Sequence, residues 1–135
     1  MPKAPPPAAP PQRGKKILVI DDDANILKLL RACLETEHYQ VVIATNGSDG
    51  LKTAQAERPD LIIADLVMPG VTGWNVGQTL RRDDALKTIP LLILSGLIGA
   101  DSEAEPGEVG DYCMAKPFNP PHLLEKVKEL LAKPR

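Results

Sequence analysis

The sequence predicts an α/β fold, an open, doubly wound sheet of five parallel strands with helices on both faces. Three observations predict it. Short aliphatic runs rich in β-branched residues alternate along the chain with segments of helical periodicity. Each run is continuously apolar rather than alternating, as strands read when both faces of a sheet are buried. Alternation of this kind implies right-handed crossover connections, which parallel strands require.

The elements follow in order. Ile17, Leu18, Val19 and Ile20 form the first strand. Ile26, Leu29, Leu30, Cys33 and Leu34 then recur at i, i+3, i+4, i+7 and i+8, one face of a helix. Val41, Val42 and Ile43 form the second strand, followed by a weaker helix over 48–57 that Pro59 ends. Leu61, Ile62, Ile63 and Ala64 form a third strand that runs into Asp65, and after the turn MPGVTG a helix covers 74–82. Leu91, Leu92, Ile93 and Leu94 form the fourth strand; an irregular stretch leads to a short fifth strand over 112–115. The last helix begins near Pro120 with Asn119 as its N-cap and repeats Leu123, Leu124, Val127, Leu130 and Leu131 on one face.

At 135 residues the chain has the size of one domain. Hydrophobic residues at 43% and charged residues at 25% suit a packed globular core. Aromatics are only 3%, so the core is aliphatic and there is no aromatic platform for stacking nucleobases. Residues 1–14 hold six of the 14 prolines and are expected to be a disordered proline-rich tail, with the domain over 15–135. Residues 1–16 carry Lys3, Arg13, Lys15 and Lys16 and no acid, so 12 of the 16 basic residues and all 18 acidic ones lie beyond, a net charge of −6. That acidic balance leads us to expect no nucleic-acid partner. Cys33 and Cys113 lack metal-ligand spacing and read as core filler in a reducing compartment. No apolar run approaches the roughly 18 residues of a membrane span, and the N-terminus lacks the apolar segment of a secretory signal. A cytoplasmic protein with no membrane partner is the expectation.

The polar residues that end the strands form a set. The first strand ends in Asp21, Asp22 and Asp23, the third in Asp65, the fourth in Ser95 and the fifth in Lys116 and Pro117. Parallel strands bring all of them to one edge of the sheet, where α/β folds place their sites. Carboxylates that close together stay ionised only if a cation neutralises them, and hard oxygen ligands suit Mg²⁺. An ammonium and a hydroxyl aimed at the same carboxylate are what an added phosphoryl group needs, because its oxygens require pairing by metal, cation and donor.

The segments KILVIDDDANILKLL, DLIIADLVMPGVTGWNV, IPLLILSG and MAKPF resemble, in order and spacing, the receiver domain of two-component response regulators. The resemblance covers residues 15–131 and implies a flavodoxin-like strand order 2-1-3-4-5. It implies Asp65 as phosphoacceptor, taking a phosphoryl group from a histidine kinase or phosphotransfer protein. It implies Mg²⁺ held by Asp21, Asp22, Asp65 and the backbone carbonyl of Val67. Ser95 matches the switch hydroxyl, Lys116 the lysine that pairs with a phosphoryl oxygen, and Pro117 the partner in a peptide that is usually cis. Such a module is regulatory rather than an enzyme. Only four residues follow Leu131, so output is expected through protein–protein contacts with a downstream effector.

The sequence departs from that pattern twice. The position three before the lysine, usually Tyr or Phe, is Cys113, and strand alternation sends Tyr112 to the opposite face. Between Ser95 and Tyr112, Pro106, Gly107 and Gly110 interrupt the chain, and a degraded fourth helix is expected there. Trp74 reads as packing cover, His38 and His122 as surface residues, and Arg81, Arg82, Asp83 and Asp84 as a solvated charge cluster. Two other functions stay open: a phosphorylation-independent interaction domain, and a phosphohydrolase of the haloacid dehalogenase type. The latter would use Asp21 as nucleophile in a D-x-D motif with Asp23.

Overall fold

A computed structural model describes residues 14–96 and 111–132. Its sheet is built from β1 (Lys16–Ile20), β2 (Gln40–Ala44), β3 (Leu61–Asp65), β4 (Leu91–Ser95) and β5 (Tyr112–Ala115). The strands lie in the order β2-β1-β3-β4-β5 and every neighbouring pair is parallel, the expected fold. Register places Ile17 opposite Val41 on one side and Leu61 on the other, and it pairs Ile62 with Leu91 and Leu92 with Tyr112.

Side-chain alternation divides the core into two layers. Ile17, Val19, Leu61, Ile63, Leu92, Leu94 and Met114 face α1 (Ala24–Glu35) and α4 (Pro120–Ala132). Leu18, Ile20, Ile62, Ala64, Leu91 and Ile93 face α2 (Gly47–Glu57) and α3 (Gly73–Arg81). All five residues of β3 and of β4 are buried. Each fully buried Leu, Ile or Val contributes roughly 1.5–3 kcal/mol, so these continuous runs both nucleate the core and leave strands nowhere else to go.

Caps set where the helices begin. Asp23 caps α1 by accepting from the Asn25 and Ile26 amides at 2.8 and 3.4 Å. Asn46 caps α2 through the Asp49 amide (2.8 Å), and Asn119 caps α4 through the His122 amide (3.2 Å), the latter as expected. Thr72 and Asn75 form a reciprocal capping box on α3. α2 ends at Arg58, which takes a left-handed conformation (φ 46°), and Pro59 follows.

Two expectations need correction. The buried face of α1 is Leu27, Leu30, Cys33 and Leu34; Leu29, expected in the core, is 49% exposed. Leu29 lies about 100° around the helix from Leu30, which carries it past the sheet to the helix flank. Arg81 is not part of a solvated cluster. Its guanidinium donates to the Lys87 and Ile89 carbonyls at 3.2 and 3.3 Å and to Asp111 Oδ2 at 2.8 Å, tying the end of α3 to the residue before β5. The same Asp111 oxygen accepts from the Leu91 amide at 2.8 Å.

The expected degraded fourth helix lies in residues 97–110, outside the described residues, so the helix called α4 is the last one in sequence. Residues 1–13 of the expected tail also lie outside them. Gly14 itself is held: its amide donates to the His38 carbonyl, and its carbonyl accepts from Gln40 Nε2, both at 3.1 Å.

Candidate functional site

The carboxyl edge of the sheet carries the polar set. Asp21 follows β1, and its amide donates to the Ala44 carbonyl at 3.2 Å, which fixes it against β2. The side chain is buried, with 1% of the residue exposed, and its Oδ1 accepts from the Asp23 amide at 2.9 Å. Asp65 ends β3 and is 7% exposed; Asp22 points to solvent. One carboxylate oxygen from each of Asp21, Asp22 and Asp65 lies within 4.8 Å of the other two.

The loop after Asp65 is held by glycine. Gly70 has φ +78°, a backbone that residues with a Cβ rarely adopt. Gly73 opens α3, and its amide donates to the Leu66 carbonyl at 3.0 Å. A Cβ on Gly73 would lie 2.3 Å from the Asp65 carbonyl oxygen, so only glycine lets α3 start this close to Asp65. The Val67 backbone favours the ionised Asp65 carboxylate, while the residue itself is 54% exposed.

Ser95 and Lys116 come from the neighbouring strands. Ser95 is 1% exposed, pairs in register with Ala115, and accepts the Lys116 amide on its carbonyl at 2.9 Å. The Lys116–Pro117 peptide is cis. Lys116 Nζ reaches Asp21 Oδ2 at 3.1 Å and Asp65 Oδ1 at 3.3 Å. Burial, then the neighbouring Asp21 charge, raise the Asp65 pKa above the usual carboxylate value, and Lys116 pulls the other way without cancelling them. Burial works against the Lys116 ammonium, yet the Asp21 and Asp65 carboxylates outweigh it and hold its pKa above the usual lysine value.

The structure therefore brings together Asp21, Asp22, Asp65 and Lys116, with Ser95 on the adjoining strand end. Three hard oxygen donors around one point fit Mg²⁺, which prefers carboxylates and water at about 2.0–2.1 Å. Asp23 does not join them. Its carboxylate caps α1, so the D-x-D alternative loses its second acid. Sequence reasoning passed over that role, although an Asp just before a helical stretch is itself a capping signal. Tyr112 packs into the α1–α4 layer, where Lys126 Nζ lies 4.2 Å from its ring centre, and Cys113 packs on the α2–α3 side. The two are on opposite faces, as alternation requires.

Residues 17–128 match the response regulator receiver domain family. The chain is 37% identical over 119 residues to the alkaline phosphatase synthesis transcriptional regulatory protein PhoP of Bacillus subtilis, covering 87% of this chain and 49% of that protein. It is 38% identical over 117 residues to the DNA-binding dual master transcriptional regulator RpaA of Synechocystis, covering 86% and 48%. Among solved structures, the chemotaxis response regulator CheY4 of Vibrio cholerae superposes with a TM-score of 0.77 at 31% identity, covering 87% of this chain and 98% of that one. A CheY-like receiver domain protein from Methanospirillum hungatei gives 0.77 at 30% identity, covering 87% and 94%.

The chain thus spans about half the length of the curated relatives it matches. The expectation of no nucleic-acid partner is overturned, since these relatives are transcriptional regulators and RpaA is named as DNA-binding. The charge of −6 belongs to residues 17–135, and charge in one span says nothing of a surface carried elsewhere in such a protein. Among the described residues, no helix is long and apolar enough to cross a membrane. With the parallel 2-1-3-4-5 sheet, the acidic edge and a family match over 17–128, this chain belongs to the response regulator receiver domain family of two-component signal transduction.

Proposed function

We propose that Asp65 accepts a phosphoryl group from the phosphohistidine of a histidine kinase or histidine phosphotransfer protein in the cytoplasm, and that the phosphorylated protein signals through protein–protein contacts. One observation carries this reading: a buried Asp65 carboxylate stands 3.3 Å from the Lys116 ammonium inside a trio of carboxylates whose oxygens lie within 4.8 Å of one another. An Asp65 oxygen attacks phosphorus, the P–N bond to the donor imidazole breaks, and an acyl phosphate forms while the imidazole leaves with a proton.

The chain's own groups answer the charge of that step. Lys116 pairs with a phosphoryl oxygen, and the Ser95 hydroxyl donates to another. Asp21, Asp22, Asp65 and the Val67 carbonyl would hold Mg²⁺, which when bound neutralises the carboxylates and the phosphoryl oxygens. Gly73 and the capping box of Thr72 and Asn75 keep the start of α3 against Asp65, so the acceptor does not reorganise as charge moves.

Incubation with acetyl phosphate and Mg²⁺, read by intact mass, tests the assignment. Wild type should gain one phosphoryl group and Asp65→Asn none. Incorporation that survives Asp65→Asn would sink it.

A further inference from the structure

Opposite the acidic edge, the segments that lead into the strands enclose a pocket of about 370 Å³, within the size range of cavities that hold small organic molecules. Pro59, Pro90 and Leu131 give it apolar walls, and Lys15, Arg58 and Asp60 bring charge to it. Backbone hydrogen bonds fix its frame. The Asp60 amide donates to the Lys16 carbonyl at 2.7 Å, the Ile62 amide to the Pro90 carbonyl at 3.0 Å, and the Gln40 amide to the Lys15 carbonyl at 2.9 Å.

The acids nearest the two cations are engaged elsewhere. Glu57, next to Arg58 in sequence, pairs with Lys16 Nζ at 2.7 Å, and Asp60 Oδ2 accepts the Lys16 amide at 2.8 Å. Among the described residues, neither Lys15 nor Arg58 makes an ion pair or a side-chain hydrogen bond. Arg58 is also an unexpected residue for its backbone. It caps α2 in the left-handed conformation, φ 46°, where helices usually end in Gly because a Cβ is strained there. Capping alone does not account for an arginine at that position, since Gly would cap better.

The balance of charge selects the ligand. Two cations against one acid leave the lining at +1. α2 and α4 both end at this edge, and the partial negative charge of their last carbonyls opposes a second negative charge on a ligand. A carboxylate meets both conditions: it is a monoanion at neutral pH, and its two oxygens match the guanidinium fork. A phosphate monoester, at about −1.5 to −2, does not. The apolar walls offer surface to a short hydrocarbon or a ring.

We propose that this pocket binds a small monocarboxylate with an apolar body, its carboxylate paired with Lys15 and Arg58. The proposal is independent of the phosphoacceptor assignment, because the pocket and Asp65 lie at opposite edges of the sheet. It is tested by titrating the full chain with benzoate at constant ionic strength and following the amide resonances. Those of Lys15, Asp60, Thr88 and Leu131 should shift saturably with a Kd on the order of 1 mM, in wild type and in Asp65→Asn alike. Arg58→Gly suits the left-handed backbone and keeps the fold, yet it should bind benzoate about tenfold more weakly, the share of one charge-assisted hydrogen bond. Benzyl alcohol, which has the ring without the charge, should give no saturable shift at these amides, and phenyl phosphate should bind more weakly than benzoate. No saturable shift with benzoate overturns the proposal, as does an affinity that Arg58→Gly leaves unchanged. Phenyl phosphate or benzyl alcohol binding as tightly as benzoate overturns the assignment of a monocarboxylate.

Discussion

Lys116 Nζ lies 3.3 Å from Asp65 Oδ1, so the end of β5 neutralises the end of β3 across the intervening β4. The same ammonium contacts Asp21 Oδ2 at 3.1 Å. Lys116→Met would keep the volume of the side chain and leave two buried carboxylates facing each other. Removing one partner of a buried pair costs about 3–5 kcal/mol, and Lys116 is partly open to solvent, so a loss of about 2–3 kcal/mol is expected at neutral pH without divalent cations. Urea denaturation measures it. Millimolar Mg²⁺ should restore part of the loss, and a variant as stable as wild type in EDTA would contradict the account.

Asp65 itself should be a stability cost. Burial and then the Asp21 charge raise its pKa above 3.8, so the fold disfavours the ionised form. The sign follows from linkage: the stability that goes with protonated Asp65 is complete below pH 3.8 and is lost as pH rises through the higher folded-state value. In EDTA, Asp65→Asn should therefore be more stable than wild type at neutral pH by about 0.5–2 kcal/mol, the usual gain from relieving a functional strain. The gap should close on acidification below the raised pKa. Denaturant midpoints across that range would refute it by showing no gain at neutral pH.

Gly73 should resist substitution more than Gly96, although both adjoin site residues. A Cβ on Gly73 meets the Asp65 carbonyl oxygen at 2.3 Å, a backbone atom that cannot turn aside, whereas a Cβ on Gly96 meets nothing within 4 Å among the described residues. Gly73→Ala should cost about 1–3 kcal/mol through displacement of α3, and it should also weaken Mg²⁺ binding, read through the single tryptophan, Trp74, in the first turn of α3. Gly96→Ala should stay within about 0.5 kcal/mol of wild type. Equal effects at the two positions would show that the close approach does not matter.

The sheet was legible because its signal is local: four continuous aliphatic runs alternate with helical segments, and parallel pairing sends Asp21, Asp65, Ser95 and Lys116 to the same edge. What stayed hidden depends on relationships that periodicity does not carry. Leu29 fits the helical repeat of α1, but whether a residue at the rim of that face is covered depends on the width of the gap to α4, which no spacing encodes. Arg81 sits among charges and reads as solvated, yet its partner Asp111 is 30 residues away. Asp23 reads as no more than an extension of the acidic edge because its neighbours are acids, while its carboxylate caps the helix that follows.

Tyr39 provides a test remote from the acidic edge. It follows the turn after α1, is 4% exposed, and packs in the α1–α4 layer with Leu34 and Val41. Burial, and after it the Glu37 charge, push its phenol up from 10.0 to about 12. The neutral phenol is the form that the fold accepts, so its stabilising contribution is complete below pH 10 and is lost as pH rises through about 12. Tyr39→Phe keeps the buried ring and removes the titration. Every other group is common to the two proteins and cancels in the difference. At about 1.4 kcal/mol per pKa unit, wild type should lose about 1 kcal/mol relative to Tyr39→Phe between about pH 9 and about pH 11. Paired urea denaturation curves at the two pH values measure that change, and a constant difference would mean that Tyr39 titrates in the folded protein as it does in the unfolded chain.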